Sequence, residues 1–411
     1  MRRALKVAGL ALAVLAALVG GFLLYVQLDG IPRYPVEKVS FHAEPTPERI
    51  ARGKKLASVL CAGCHLDPTT RQLTGKYMSD APEEFGVIYS ANITRHPTKG
   101  IGSWTDGELA YLLRTGVKRD GQYTPPWMVK LPHTSDEDLA SIIAFLRSDD
   151  PMVAASDRDP PGVTRPSFLT KFLCHVAFRK LPYPTGPITA PSPTDRVAYG
   201  RYLVFGLECY GCHSADFKTM NIAAPEKSAG YFGGGNPLLD LRRQVVRSAN
   251  LTPDEETGIG RWSEQDFRTA LRMGFRPNKT AVRYPMTNIP DLTDDEAGAI
   301  YAYLRTVPPI RNPFPRNLPP PPSQISGTDG KRLYQDYGCV SCHGDDGVGL
   351  ADLRRAAEHY PTRAGLKSWI KDAPSIKPDT RMPSWDGVIR EEDYEPLMDY
   401  VLQLGQKRAE R

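Results

Sequence analysis

Three short stretches of this chain combine two cysteines and one histidine at the same spacing. Each has the pattern Cys-x-x-Cys-His, and together they use six of the seven cysteines in 411 residues. Seven cysteines and eight histidines would produce about 0.002 such motifs by chance, so the spacing is meaningful. The motif residues are Cys61, Cys64 and His65; Cys209, Cys212 and His213; and Cys339, Cys342 and His343.

Three kinds of cysteine chemistry compete for this pattern. An exported protein could form three disulfides, but a disulfide framework has no use for a histidine after every second cysteine. Zinc needs four ligands, and no second pair accompanies each motif at ligand spacing. Covalent haem uses every motif residue, because two thiols form thioethers to the vinyl groups and the imidazole ligates iron. We therefore predict three haem c groups.

An internal repeat suggests the other axial ligand. Residues 90–147 align with residues 248–305 without a gap, and 18 of the 58 positions are identical. This alignment matches Met128 with Met286, and the third unit has Met382 beside a proline. A thioether is a suitable sixth ligand that holds haem iron at a relatively high potential. The predicted axial pairs are His65 with Met128, His213 with Met286, and His343 with Met382.

Two tryptophans and one further methionine could also contact haem. Trp104 and Trp262 are matched by the repeat, each 24 residues before the predicted methionine ligand. An indole N–H can donate to a buried haem propionate, or the ring can simply fill the core, and both interpretations stay open. Met78 competes with Met128 as the ligand of the first unit, but the repeat favours Met128.

Each unit is predicted to begin and end with a helix. A glycine lies eight or nine residues before the first cysteine of each motif, where another helix could approach closely: Gly53, Gly200 and Gly330. Ser, Thr or acidic residues open each closing helix, as is typical of helix N-termini. Strand patterns are scarce, so the predicted fold class is all-α.

The N-terminus carries an uncharged apolar run of 20 residues, 7–26. A helix of that length, at about 1.5 Å per residue, crosses a hydrocarbon core of roughly 30 Å. A cleaved signal is the alternative, but its apolar core is usually about 7–15 residues, and residues 25–29 contain no Ala-x-Ala site. Basic residues before the run place the N-terminus in the cytoplasm and the remainder outside.

Charge and composition argue against one class of function, nucleic-acid binding. The net charge of +5 includes Arg2, Arg3 and Lys6, so 49 basic and 47 acidic residues, or +2, remain beyond the apolar run. No dense basic run is interleaved with aromatic residues, and nucleic acid is therefore not an expected partner.

Proline-rich segments divide the chain into units. We predict an anchor (1–30), a first domain (31–150), a linker (151–192), a second domain (193–307), a Pro-rich linker (308–325) and a third domain (326–408). The first linker contains a short amphipathic segment with Cys174, whose thiol we expect to be buried. The second linker should be a semi-rigid polyproline spacer that holds the third domain at a set distance.

With these motifs in view, the chain resembles the membrane-bound triheme cytochrome c subunit of bacterial periplasmic alcohol, gluconate and related dehydrogenases. The resemblance covers about residues 45–405 and includes "NITRHPTKGIGSW" and "NLTPDEETGIGRWSEQDF" of the first two units. The third unit, with "GCVSCHGDDGVGL", is similar to the class I cytochrome c domain fused to some oxidase subunits II. The resemblance implies three tandem class I cytochrome c domains outside the bacterial inner membrane. It also implies electron transfer from a dehydrogenase subunit to the quinone pool or a terminal oxidase.

Two classes of function fit three haems. An electron relay needs both axial positions of each iron filled, whereas a peroxidase-like multihaem enzyme needs one open or displaceable ligand. A methionine at the matched place in every unit favours the relay. We therefore expect an electron-transfer protein without catalytic residues, and keep the redox enzyme as the alternative.

Overall fold

A computed structural model describes residues 2–316, 318–378 and 380–409. The chain begins with helix α1 (Arg2–Asp29), along which Val26 is the buried residue and the other apolar side chains are exposed. Among the described residues, α1 is the one helix long and apolar enough to cross a membrane. A signal sequence near the N-terminus can have the same length and apolar composition.

Three crossed helix pairs frame the part of the chain that follows α1. In each pair, a helix leading into a Cys-x-x-Cys-His motif packs against a helix that closes the unit. The pairs are α2 (Pro47–Leu60) with α5 (Asp136–Arg147), α7 (Arg196–Gly206) with α10 (Asp294–Leu304), and α11 (Gly330–Asp336) with α15 (Tyr394–Ala409).

The predicted close approach at three glycines is confirmed. A Cβ atom on Gly53 would lie 1.8 Å from the carbonyl oxygen of Ser141. The corresponding distances are 1.9 Å for Gly200 to the oxygen of Ala299 and 2.0 Å for Gly330 to that of Pro396. Only glycine allows the two backbones to approach this closely. All three helix pairs therefore cross at a glycine with the same kind of backbone contact.

Short elements complete the structure, which has few strands, as the predicted all-α class requires. The other helices are α3 (Ala62–His65), α4 (Asp106–Thr115), α6 (Phe168–Val176), α8 (Cys209–His213), α9 (Glu264–Arg268), α12 (Val340–His343), α13 (Ala356–His359) and α14 (Arg363–Ile376). Two antiparallel strand pairs are β1 (Gly86–Val87) with β2 (Arg165–Pro166) and β3 (Pro237–Leu239) with β4 (Val245–Arg247).

The first two units share one hydrophobic cluster and a polar network. Arg52 donates to Asp138 of its own unit at 2.8 Å and to Glu296 of the second unit at 2.7 Å. Tyr202 of the second unit donates to Asp138 at 2.6 Å, and Lys55 pairs with Glu296. Because these groups are largely buried, the network fixes the two units against each other.

The segment predicted to be a spacer between the second and third units is instead packed along the second unit. The Nδ2 of Asn312 donates to the carbonyl oxygens of Gly233 and Gly234 at 3.0 and 3.1 Å, and Arg311 pairs with Glu256 at 2.7 Å. Backbone acceptors of the glycine loop bind the segment, so its own stiffness is not the only thing that sets its course. The third unit also touches the second, where the rings of Phe275 and Trp385 meet edge to face at 5.1 Å.

The amphipathic part of the first linker forms α6, which packs on the first unit. Cys174 is buried in a small cluster with Tyr111, Val117 and Tyr123, so the expected burial of its thiol is confirmed.

Candidate haem-binding sites

Each Cys-x-x-Cys-His motif folds as the short turn that its spacing requires. In the first unit, Cys61 ends α2 and precedes α3, and its carbonyl accepts from the backbone N–H of His65 at 2.9 Å. In the third unit, Cys339 and His343 make the same bond at 3.0 Å. One helical turn therefore places the histidine close to both cysteines.

All six motif thiols are free, and the first cysteine of each motif packs against a hydrophobic cluster. Burial raises the pKa of the first cysteine of each motif to about 12 and that of the second to about 11. These thiols therefore stay protonated and uncharged at neutral pH. Uncharged thiols beside a hydrophobic cluster fit covalent attachment of an apolar macrocycle.

A backbone carbonyl fixes the tautomer of the first two motif histidines. The Nδ1 of His65 lies 2.7 Å from the carbonyl oxygen of Ala91, and that of His213 lies 2.8 Å from Ala249. A carbonyl only accepts, so Nδ1 carries the proton and Nε2 keeps a free lone pair. Burial lowers the pKa of both imidazoles, that of His213 to about 4. Both rings are thus neutral bases suited to ligate iron.

The third histidine has a looser version of this contact. Burial lowers the pKa of His343 to about 4, and the nearby Ala351 carbonyl partly opposes that shift. Its Nδ1 makes no hydrogen bond of normal geometry within the described residues. The residues still fit a haem, but this imidazole is held less firmly than the other two.

A matched asparagine loop supports the two carbonyls, and the sequence analysis did not identify it. Asn92 Oδ1 accepts from the backbone N–H and hydroxyl of Thr94 at 2.9 and 2.7 Å. Asn250 and Thr252 make the same two bonds at the same distances. Each asparagine directly follows the alanine whose carbonyl holds the histidine. The repeated "SAN", with threonine two residues later, was the signal for this role.

The predicted axial methionines are partly buried against the same hydrophobic clusters as the first cysteines of the motifs. Met128 and Met286 are half-buried against the cluster that also contacts Cys61 and Cys209. Met382 packs against the separate cluster of the third unit, together with Cys339. These positions are compatible with ligation, which stays a prediction for all three.

The two matched tryptophans are half-buried and pack against the shared core. The backbone carbonyl of Trp262 accepts from the Tyr301 hydroxyl at 2.6 Å, and the Arg119 guanidinium lies 5.1 Å from the ring centre of Trp104. Trp104 and Trp262 thus pack against the core, as the core-filling interpretation requires. A contact with a haem propionate stays a prediction.

A further hydrogen bond between the first two units joins Tyr284 and Asp80, whose electrostatic effects reach the second cysteines of the motifs. The buried Tyr284 hydroxyl donates to Asp80 at 2.5 Å. Burial raises the pKa of Cys64 and Cys212, and the nearby Asp80 charge raises both further. Burial also raises the pKa of Tyr284. The Asp80 carboxylate raises it further, and so do Cys64 and Cys342. Charges act on one another over a limited range, so the second cysteine of each motif lies within electrostatic range of at least one member of the Tyr284–Asp80 pair.

Three arginines gather near the second motif. Burial lowers the pKa of Arg276 to about 9, and the charges of Arg316 and Arg283 lower it further. Arg283 donates to the carbonyl oxygen of Arg316 at 2.5 Å, and Arg316 lies close enough to His213 to lower its pKa. A partly buried group of like charges is stabilised by an anion, which the carboxylates of a haem would supply.

Comparison with known proteins concerns the family of the chain rather than individual site residues. Residues 326–401 match the family model described as cytochrome c oxidase, cbb3-type, subunit III. This is an oxidase cytochrome domain, as expected for the third unit, although of subunit III rather than of the subunit II fusion.

Similar proteins extend the likeness to most of the chain. The cytochrome c subunit of the quinone alcohol dehydrogenase of Gluconobacter oxydans is 29% identical over 81% of this chain and 70% of its own length. The fructose dehydrogenase cytochrome subunit of Gluconobacter japonicus is 30% identical over 78% of this chain and 69% of its own length. The gluconate 2-dehydrogenase cytochrome c subunit of Pantoea cypripedii is 30% identical over 77% and 74%. The chain therefore belongs to the family of cytochrome c subunits of dehydrogenase complexes.

Proposed function

We propose that this protein is a membrane-anchored triheme cytochrome c that relays single electrons from a dehydrogenase partner to quinone or a terminal oxidase. Membership of the family already makes it a haem-carrying electron-transfer protein. The number of haems, the domain arrangement and the electron acceptor belong to the proposal.

The observation that carries the proposal is the grouping of three second cysteines around the Tyr284–Asp80 pair. Each of these cysteines would hold one edge of its haem, so the grouping places three attachment points at one junction. A relay requires such closeness, whereas three independent catalytic haems would not. The shared core and the Arg52 network keep the first two attachment points at fixed positions.

The roles of the residues follow from their contacts. Haem supplies a one-electron couple when bound. His65, His213 and His343 each offer a neutral Nε2 lone pair, and Met128, Met286 and Met382 would bind the opposite face. If both a histidine and a methionine ligate each iron, no position would be left for a substrate, as an electron relay requires. The arginine group of Arg276, Arg283 and Arg316 would bind propionates near the second motif.

The proposed arrangement keeps the predicted domain limits. An anchor over residues 1–30 would place domains 31–150, 193–307 and 326–408 in the periplasm, joined by segments 151–192 and 308–325. The three glycine-mediated helix crossings support three equivalent domains. The exposed apolar surface of α1 supports a single span in the inner membrane.

Counting covalently bound haem in the purified full chain tests the proposal. Mass spectrometry should find three haem additions per chain. A variant with Cys339→Ala and Cys342→Ala should carry two, because the third motif loses both attachment thiols. Cys174→Ala is the matched control, since it removes the one cysteine outside the motifs and should keep three haems. Fewer than three haems on the unchanged protein would contradict a triheme relay.

Gentle solubilisation and identification of co-purifying subunits tests the partner. Recovery of a dehydrogenase subunit supports the proposed electron donor, while recovery with an oxidase alone would assign the protein to a different complex.

A further inference from the structure

The linker helix α6 has one apolar face that the described part of the chain covers only in part. Phe168, Leu169 and Val176 are 43%, 41% and 43% exposed. The opposite face packs on the first unit, where Thr170 donates to the carbonyl oxygen of Phe85 at 2.8 Å and Cys174 is buried. The helix is therefore firmly attached to the first unit while it presents large apolar side chains outward.

The same helix contacts the last turns of α1. The rings of Phe172 and Phe22 meet edge to face at 6.1 Å between centroids, and Phe168 stacks on Phe172 at 6.3 Å. Phe22, Phe172 and Phe168 thus form a chain of ring contacts that connects α1 to the exposed face of α6.

Polar contacts between α6 and α1 lie nearer the C-terminal end of α1 than the aromatic contacts do. The Nε2 of His175 is 3.1 Å from the carbonyl oxygen of Gly30 and 3.4 Å from the Asp29 carboxylate, and Lys171 donates to Gln27 at 3.2 Å. Charged and amphipathic groups of this kind collect at the boundary between lipid and water.

The length of α1 determines the depth of α6. Phe22 lies four residues before the end of the apolar run at Val26, which at about 1.5 Å per residue is about 6 Å inside the hydrocarbon boundary. Phe172 touches Phe22 and must therefore lie at a similar depth if α1 spans the membrane. His175, beside Asp29, would lie at the headgroup level.

We propose that α6 is an interfacial helix that inserts Phe168, Leu169 and Val176 into the lipid beside the anchor, and so fixes the orientation of the first unit above the membrane. This inference rests on the anchor of the proposed function. A single span would let the domains swivel, whereas two adjacent lipid contacts hold one face of the first unit toward the membrane. The continuous aromatic contact with α1 favours lipid over a protein partner as the occupant of this face.

Photo-crosslinking of the full chain in phosphatidylcholine/phosphatidylglycerol vesicles tests the inference. The photoreactive residue p-benzoylphenylalanine replaces Phe168, or Phe22 of α1, or Phe217, which is 50% exposed in the second unit. We expect lipid adducts at 168 and 22, with a yield at 168 about tenfold or more above that at 217, as partition of these apolar side chains into lipid implies. Adding Leu169→Glu and Val176→Glu, both exposed positions, should reduce the yield at 168 toward that at 217.

The controls separate the two possible failures. Lipid adducts at 22 with no excess at 168 over 217 would overturn the interfacial role and leave the anchor intact. No adduct at 22 would remove the anchor and this inference with it. Crosslinks from 168 to another polypeptide in native membranes, without lipid adducts, would assign the face to a protein partner and overturn the inference.

Discussion

Replacing Asn250 with alanine should release the loop that holds His213. The buried Asn250 side chain donates to Thr257 at 2.9 Å and to the carbonyl oxygen of Ile310 at 2.6 Å. It also accepts from the backbone N–H and the hydroxyl of Thr252. The asparagine therefore ties the histidine loop to the segment that leads to the third unit.

The expected cost follows from these four hydrogen bonds. Asn250→Ala leaves a buried backbone N–H and a buried carbonyl with weakened partners, at about 1–3 kcal/mol each, so the local free energy of opening should fall by about 3 kcal/mol. Local opening would then be about a hundredfold more frequent. Hydrogen–deuterium exchange of the peptide covering residues 248–262 in the haem-loaded protein measures this frequency. The matched peptide of the first unit, residues 90–104, should keep its exchange rate.

Asn278→Ala is the control for the local turn alone. Asn278 accepts from the backbone N–H and hydroxyl of Thr280 at 3.2 and 2.7 Å, as Asn250 does from Thr252, but it is exposed. Its replacement should cost about 1 kcal/mol or less. Equal effects of the two substitutions would refute the idea that the bond to Ile310 holds the histidine loop.

Two further predictions concern packing and pH. Gly330→Ala should cost about 1–3 kcal/mol and disturb the visible spectrum of the third haem, because the new Cβ would lie 2.0 Å from the Pro396 oxygen. Gly365→Ala, whose Cβ would meet the Thr362 hydroxyl at 3.1 Å, should be nearly neutral in the same denaturation and absorption assays. Burial raises the pKa of Glu296, but hydrogen bonds and charges, led by Lys55, outweigh it and lower the pKa overall. The stabilisation is therefore complete above the unfolded-state pKa of about 4.3 and is lost as the pH falls through the lower folded value. Melting curves should show this loss in the unchanged protein, and an equally steep pH dependence in Glu296→Gln would contradict it.

Local patterns predicted the helix pairs well. Gly53 and the other glycines ahead of the motifs predicted a close helix crossing, because glycine inside a helix lets another backbone approach. The structure has this crossing at all three positions. Helix starts were predictable for a similar reason: Thr293 and Glu296 form the capping box that their spacing suggests. The contacts of the proline segment after residue 308 were not predictable, because its partners are carbonyls of a loop distant in sequence.

The sequence by itself determined the chemistry of this protein. The spacing within each Cys-x-x-Cys-His motif is a property of one helical turn, and the internal repeat pairs Met128 with Met286 without any knowledge of packing. The tertiary structure decided what these parts do together. The closeness of Cys64, Cys212 and Cys342 and the contact of α6 with α1 join residues far apart in the chain. Such contacts depend on how helices pack, and a single sequence carries no local signal for them.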